Sequence, residues 1–338
     1  MKRRQDIDQI RGLAILLMVM VHAAATWAPP TASTTSLFAI IIAGLGGLAA
    51  PLFVTVGGWV TVQSSWSMRK AMIRFVFLML AQVLVNVCAP HLFDPFTPGV
   101  LSLFAILYLL APLWLKLANN VAIWGASLTF IVVANWVFLP GDSALVWDDR
   151  INAIGLGQII GHFVYSGTYP VFPWIFFSIL GAGINIHAPS VQKTCLVIAI
   201  GMISCIAFLL RSVENGIPFA QPTGNATLTF FPANAPFLIG AGTGVLVLWV
   251  LLEKRKPFRG LNQLGRLSLT LYIVHFIPLY FGSTLALSWQ LAIPTVVLFT
   301  MLWWPISVYH QTRFPTYSLE YALQRISRHE EELSLIHI

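Results

Sequence analysis

Two side chains in the opening apolar run IRGLAILLMVMVHAAATWA could do chemistry together: Arg11 and, eleven residues later, His22. On an α-helix that step turns through roughly 1100°, three turns plus about 20°, so both face one side about 16 Å apart. Ionisable groups at lipid depth are costly and ordinarily face a bundle interior or a wet cavity. The guanidinium is a permanently charged planar fork suited to phosphates. An imidazole that titrates near neutrality can take a proton from a hydroxyl or amine as that group attacks an activated acyl carbon. Asp8 precedes Arg11 by three residues, so the two can meet on the first turn, where a helix also favours a carboxylate. Blander readings stand beside these: Arg11 can snorkel to phosphate headgroups, and His22 can be a hydrogen-bonded structural residue.

His22 has no polar neighbour along its own helix to satisfy it, so its partner must come from another helix or a ligand. A second polar stripe lies in LGRLSLTLYIVHF, where Ser268, Tyr272 and His275 share a face at i, i+4, i+7. Arg266 falls nine residues before His275, about half a turn out of phase, and cannot repeat the Arg11 and His22 arrangement on one face. His275 therefore reads as a cavity-lining or orienting residue rather than the base.

The elements that must position these residues are membrane-spanning helices. With 338 residues, 57% hydrophobic, 9% charged and a mean hydropathy of +0.80, the chain has too few charges to cover a soluble globule of its size. Runs long enough to cross about 30 Å of hydrocarbon fall near 10–28, 37–62, 71–88, 99–115, 121–140, 169–187, 194–212, 234–252, 267–284 and 291–310. The fold class is thus all-α, a polytopic bundle of about ten transmembrane helices with both termini cytoplasmic. Of the 19 Lys and Arg, only Arg150 and Arg211 fall on the outer side, so the positive-inside rule accounts for the net charge of +7 without a nucleic-acid partner. Loops 63–70 and 253–266 are the basic cytoplasmic turns. Residues 1–310 form a single transmembrane domain and 311–338 a cytoplasmic tail, with Leu319, Leu323 and Ile326 at helical spacing. The first helix has a signal-like basic start, but nine further spans follow and it is expected to stay uncleaved.

Other features carry weaker signals. Pro51 inside the second span, with Gly57 and Gly58 near its end, predicts either a cavity-lining break or a kink with close packing. Gly240 and Gly244 are spaced for tight helix contact. Residues 151–167 suggest a re-entrant or interfacial helix on the outer side. Pro170 and Pro173 sit in the first turn of the sixth span, with Trp174 as an interfacial anchor or part of an outer vestibule, and Asn185 ends that span as a cap or donor contact. His91, Asp94 and His162 read as solvated outer-loop residues. Cys88, Cys195 and Cys205 lack metal or CxxC spacing and read as packing residues, with no metal expected.

The opening DQIRGLAILLMVMVH resembles the signature of acyltransferase family 3, an Arg, ten residues and a His. IDQIRGLAILLMV, FTPGVLSLFAILYLL (96–110), YPVFPWIFFSILGAGIN (169–185) and LGRLSLTLYIVH (264–275) are similar to the heparan-α-glucosaminide N-acetyltransferase-like branch of the transmembrane acyltransferases. The resemblance implies an integral enzyme, in the inner or plasma membrane, that moves an acyl group, commonly acetyl, from cytoplasmic acyl-CoA to a sugar hydroxyl or amine on the far side. Carried over, Arg11 and His22 become catalytic; Asp8, Arg11, Asn185 and His275 bind the acetyl-CoA donor; and Tyr108, Pro173 and Trp174 line a substrate vestibule, with Gly99 also in a similar block. Acyl-CoA, a glycan or other small acceptor and membrane lipids are the implied partners, and a homodimer is left open. In the heparan branch the catalytic histidine lies beyond the first span, where this chain has PPTASTTS, which leaves His22 as the base on or next to this helix.

A transporter or flippase is the main alternative and would explain broken helices. The spans nevertheless hold no Asp or Glu in their interiors and show no internal repeat. A non-catalytic membrane scaffold would leave the polar stripes without a purpose.

Overall fold

The computed structural model describes residues 4–29, 37–138, 146–253, 255–256 and 258–336. The PPTASTTS stretch from residue 30 onward therefore lies outside the described residues. The architecture is all-α: α1 (Gln5–Trp27), α2 (Leu37–Gly46), α3 (Ala49–Gln63), α4 (Met68–Cys88), α5 (Val100–Leu109), α6 (Ala111–Trp114) and α7 (Val121–Phe138) make the first half. After the short α8 (Trp147–Ile151) and α9 (Leu156–Gly161) come α10 (Val171–His187), α11 (Val191–Glu214) and α12 (Ala235–Leu252). The chain ends with α13 (Arg259–Arg266), α14 (Ser268–Val274), α15 (Phe276–Phe281), α16 (Trp289–Arg313) and α17 (Leu319–Ile336). The strands among the described residues are a two-residue parallel pair, β1 (Ala220–Gln221) and β2 (Leu228–Thr229).

Among the described residues, 7 spans are long and apolar enough to cross a membrane, and the number rises to 10 if each bent helix pair is one span. The bent pairs are the informative ones. The predicted span 99–115 breaks by 69° after α5, where Pro112 removes a backbone donor in the first turn of α6. Residues 156–166 meet α10 at 41°, in keeping with a re-entrant or interfacial segment there. The predicted ninth span, 267–284, is preceded by α13, which meets it at 75°; this segment, expected as part of a basic loop, is a helix with Gly260, Asn262, Leu264 and Gly265 buried. In the second span the break lies at the Gly47 turn between α2 and α3, not at Pro51, which sits buried in the first turn of α3, where proline is tolerated.

Helix α1 is the hub, packed against α2, α3, α12, α13, α14, α15 and α16. From Asp6 to Ala24 none of its residues is exposed, whereas α11 turns Leu196, Ile200, Ile203 and Leu210 outward as a lipid-facing helix would. Asp6 and Asp8 occupy its first turn, and the chain leaves the helix at Ala28, whose extended backbone suits the residue before Pro29.

Two reciprocal glycine crossings set the helix spacing. A methyl group on Gly12 would overlap the Leu261 carbonyl, and one on Gly265 would overlap the Asp8 carbonyl, so α13 runs antiparallel along the N-terminal half of α1 with backbones touching. In the same way Gly58 faces the Ser178 carbonyl and Gly181 the Thr55 carbonyl, locking α3 to α10. Gly244 packs on Leu48 in the turn before α3, and Gly240 faces Leu228 of β2 and Cys205 of α11, so the closest neighbours of this pair are not a helix backbone.

Because the obstacle at Gly58 is backbone, Gly58→Val should destabilise the protein by about 1–3 kcal/mol, read as a lower midpoint of thermal unfolding in detergent. Gly125→Ala, where a methyl group meets open space, should leave the midpoint unchanged or slightly raised. Equal midpoints for the two variants would remove the crossing as a structural constraint.

Candidate active site

His22 and His275 meet at the centre of the bundle. His22 Nδ1 lies 2.8 Å from His275 Nε2, with the rings edge to edge, 5.1 Å between centroids and 8° between planes. Helix α1 supplies one ring, and the junction of α14 and α15 supplies the other. The Leu271 carbonyl, 2.9 Å from His275 Nδ1, can only accept, so His275 carries its proton on Nδ1 and offers a lone pair at Nε2. His22 must then donate its Nδ1 proton across the pair, which leaves the lone pair on His22 Nε2. His275 is fully buried while His22 is only partly so. The arrangement is a relay: a buried imidazole, fixed by its own helix, orients a reachable one.

At the N-terminal end of α1 Asp8, 3% exposed, sits between two guanidinium groups. Its Oδ1 is 3.8 Å from Arg11 Nη1 and its Oδ2 is 3.8 Å from Arg266 Nε. The expected pairing of Asp8 with Arg11 is present, and Arg266 joins it because the α13 and α14 break voids the phase argument that set it aside. Gln9 Oε1 accepts from Phe258 N at 2.8 Å, tying the start of α13 to α1. Arg4, just outside the span, is hydrogen-bonded to Asp6 and sits 3.9 Å from Glu253; the Asp6 bond is the main cause that raises its pKa above the ordinary value.

Toward the end of the bundle opposite Asp8 an aromatic chain leaves the histidines. Phe276, 4.8 Å from His22 between centroids, contacts Phe93, then Trp147, Phe231, Tyr169 and Trp174 at centroid distances between 4.9 and 6.1 Å. Trp174 is not the interfacial anchor its position predicts. It is fully buried beneath Phe230, Phe177 and Phe237, and its indole Nε1 has no hydrogen-bond partner among the described residues. The adjacent Pro173 follows a cis peptide bond and is buried with it.

The other predicted site residues are placed elsewhere. Tyr108 does not share a vestibule with Trp174: its hydroxyl is 3.4 Å from Ser64 Oγ, its carbonyl accepts from Trp66 Nε1, and Arg74 lies over its ring at 4.2 Å. Ser64 and Trp66 belong to the 63–70 turn and Arg74 to α4, which follows it, at the opposite end of the bundle. Asn185 Nδ2 donates to the Trp59 carbonyl at 2.9 Å, an interhelical tie between α10 and α3 rather than the cap expected of it. Gly99 leaves room for the Gln82 amide, which accepts from Leu101 N and donates to Asn86. His91 and Asp94 are exposed, as read, but His162 is buried, held by Ser166 Oγ at 3.0 Å and the Asn152 carbonyl at 2.9 Å. The signal for that burial is the long-range return of residues 152–166 on themselves, which no local pattern shows. The described residues contain no group of three or more His, Cys, Asp or Glu able to hold a metal, and all three cysteines are free.

Comparison with curated proteins finds no match. The family model described as heparan-alpha-glucosaminide N-acetyltransferase, catalytic, matches residues 3–209, well over half of the 338 in the chain. That stretch carries Asp8, Arg11, His22, Tyr108, Trp174 and Asn185. This integral membrane chain therefore belongs to the heparan-alpha-glucosaminide N-acetyltransferase catalytic family.

Proposed function

We propose that this chain transfers an acetyl group from acetyl-CoA, bound from the cytoplasmic side, to an amine or hydroxyl of a sugar reached from the outer side, with His22 as general base. The observation that carries the reading is the His22 and His275 relay, which leaves an unshared lone pair on a part-exposed imidazole inside a member of an acetyltransferase family. The acceptor nitrogen or oxygen attacks the thioester carbonyl and gives its proton to His22 Nε2. The tetrahedral adduct then expels the CoA thiolate, which takes up a proton. His275 lowers the cost of the imidazolium that forms on His22, because its Nε2 lone pair accepts from the Nδ1 proton throughout. Attack by His22 Nε2 itself, giving an acetyl-histidine that the acceptor then resolves, uses the same lone pair; a burst of CoA release before the acceptor is added distinguishes it.

Arg11 and Arg266 hold the pyrophosphate of the donor. Two guanidinium groups share one carboxylate, so the cluster keeps a net positive charge while Asp8 fixes where each fork points. The acceptor enters along the aromatic chain, where sugar faces stack on rings and the Trp174 indole N–H, without a partner among the described residues, offers a donor to a hydroxyl. The Arg74, Tyr108 and Ser64 cluster belongs to the cytoplasmic mouth, and the membrane is the cell's inner or plasma membrane.

His22→Ala in purified protein should lower kcat with acetyl-CoA and glucosamine by at least about 100-fold, while His275→Ala, which frees the base to rotate and removes the acceptor for its Nδ1 proton, should cost about 10- to 100-fold. Undiminished turnover in His22→Ala removes that residue from the mechanism. Arg11→Ala should raise the KM for acetyl-CoA by about tenfold or more with kcat less affected; a change confined to kcat would place Arg11 elsewhere. The rate should also fall toward acid pH, because protonated His22 has no lone pair to offer. A pH profile without an acid limb counts against a histidine base.

A further inference from the structure

The tail helix α17 reaches back from the C-terminal end to the very helix that carries His275. Glu320 Oε1 accepts from Leu269 N at 2.6 Å and Thr270 N at 3.2 Å, its Oε2 accepts from Thr270 Oγ1 at 2.6 Å, and Leu319 N donates to the same Thr270 Oγ1 at 3.0 Å. These amides need a partner. The 75° break at Leu267 starts a new helix there, so its first-turn N–H groups have no carbonyl behind them. The carboxylate supplies it from about fifty residues farther along the chain. The residue after Thr270 is Leu271, whose carbonyl fixes the ring of His275, and His275 in turn accepts from His22. A continuous path of hydrogen bonds and one helical turn thus joins the tail to the candidate base.

We propose that Glu320 is a positioning residue: it sets the register of α14 and thereby holds His275 against His22. The contacts of α17 with both α14 and α4, and the packing of Leu319 on the core, make the tail a strap across the cytoplasmic end of the broken span. Residues 259–336, which include Glu320, Thr270 and His275, lie beyond the stretch matched by the family model, while His22 at the far end of the path lies within it. The catalytic consequence rests on the acetyl-transfer reading above; the geometric one does not.

The test uses the full chain in lipid nanodiscs, with ¹⁵N-labelled histidine, acetyl-CoA and glucosamine. In the wild type the imidazole nitrogens of His22 and His275 should show a hydrogen-bonded pair. Glu320→Ala should weaken or split those signals and lower kcat by about tenfold, the scale of losing a helix cap, with the KM for acetyl-CoA within about twofold and the thermal midpoint little changed. Glu320→Gln, whose amide oxygen still accepts from Leu269 and Thr270 and whose amide nitrogen can donate to Thr270 Oγ1, should restore both readouts. An unaltered histidine pair in Glu320→Ala overturns the proposal, and so does a loss of activity that follows the thermal midpoint or KM instead of kcat. Wild-type protein that shows the paired histidines but no transfer refutes the acetyl-transfer reading, while the response of the pair to Glu320→Ala still decides the strap.

Discussion

One hydrogen bond between two imidazoles, 2.8 Å across the gap from α1 to the α14 and α15 junction, governs what the interior of this bundle can do. Hydrocarbon supplies no water to complete a polar group, so each histidine in it needs its partner from the protein. A histidine pair meets that demand in only one tautomeric order once the Leu271 carbonyl has claimed a proton from His275. The pair is therefore directional. It leaves its basic site on the partly exposed ring and spends the buried ring on orientation, the same division of labour that a carboxylate and a histidine make in hydrolases. A neutral orienting group also avoids placing a bare carboxylate at this depth.

The remainder of the architecture follows from bringing those two rings together. Gly12 and Gly265 let α13 lie backbone to backbone on α1, which puts the start of α14 beside the central helix. The break at Leu267 then redirects the chain so that His275 arrives above, and Arg266 below, in contact with a side chain of α1. Breaking a helix in a membrane exposes backbone donors, and here Glu320 takes them up. The crossing, the break and the strap are three parts of one solution. Larger side chains at the crossing would move α13 away, and a straight span would carry Arg266 off Asp8.

How much of this was legible in the sequence depends on how local each signal is. The phase of Arg11 and His22 on one unbroken helix, and the pairing of Asp8 with Arg11, required only helical geometry, and the structure keeps both on α1. That His22 needs a partner from another helix is legible in its apolar surroundings, and the Ser268, Tyr272 and His275 stripe marks a polar face, but no local spacing shows that the two histidines meet. Arg266 was set aside by a phase argument that is sound for a continuous helix and fails at a 75° bend. Tyr108 was grouped with residues near Trp174 because the sequence blocks resemble one family, yet a helix of ten residues carries it about 14 Å from Gly99 to the opposite mouth. Trp174 looked like an interface anchor from its place at a span end. Its roof, Phe230, comes from a segment whose return over the bundle rests on Asn234 capping α12 and on Thr229 binding the Pro232 carbonyl, contacts with no periodic signature.

The family match ends at residue 209, and the candidate site does not. Its base and one of its arginines lie inside the matched stretch, while the orienting histidine, the second arginine and the carboxylate strap lie in α13, α14 and α17. A fragment ending with the matched stretch would keep His22 in an apolar helix with its Nδ1 proton donated to nothing, and would keep Asp8 with one guanidinium instead of two. Such a fragment would carry an unsatisfied polar group at lipid depth, at a cost of about 1–3 kcal/mol on protein scales. The pressure to satisfy His22 therefore falls on the second part of the chain. That requirement ties the two regions into one functional unit more firmly than their apolar contacts alone, since apolar packing tolerates small shifts and a 2.8 Å bond between two rings does not.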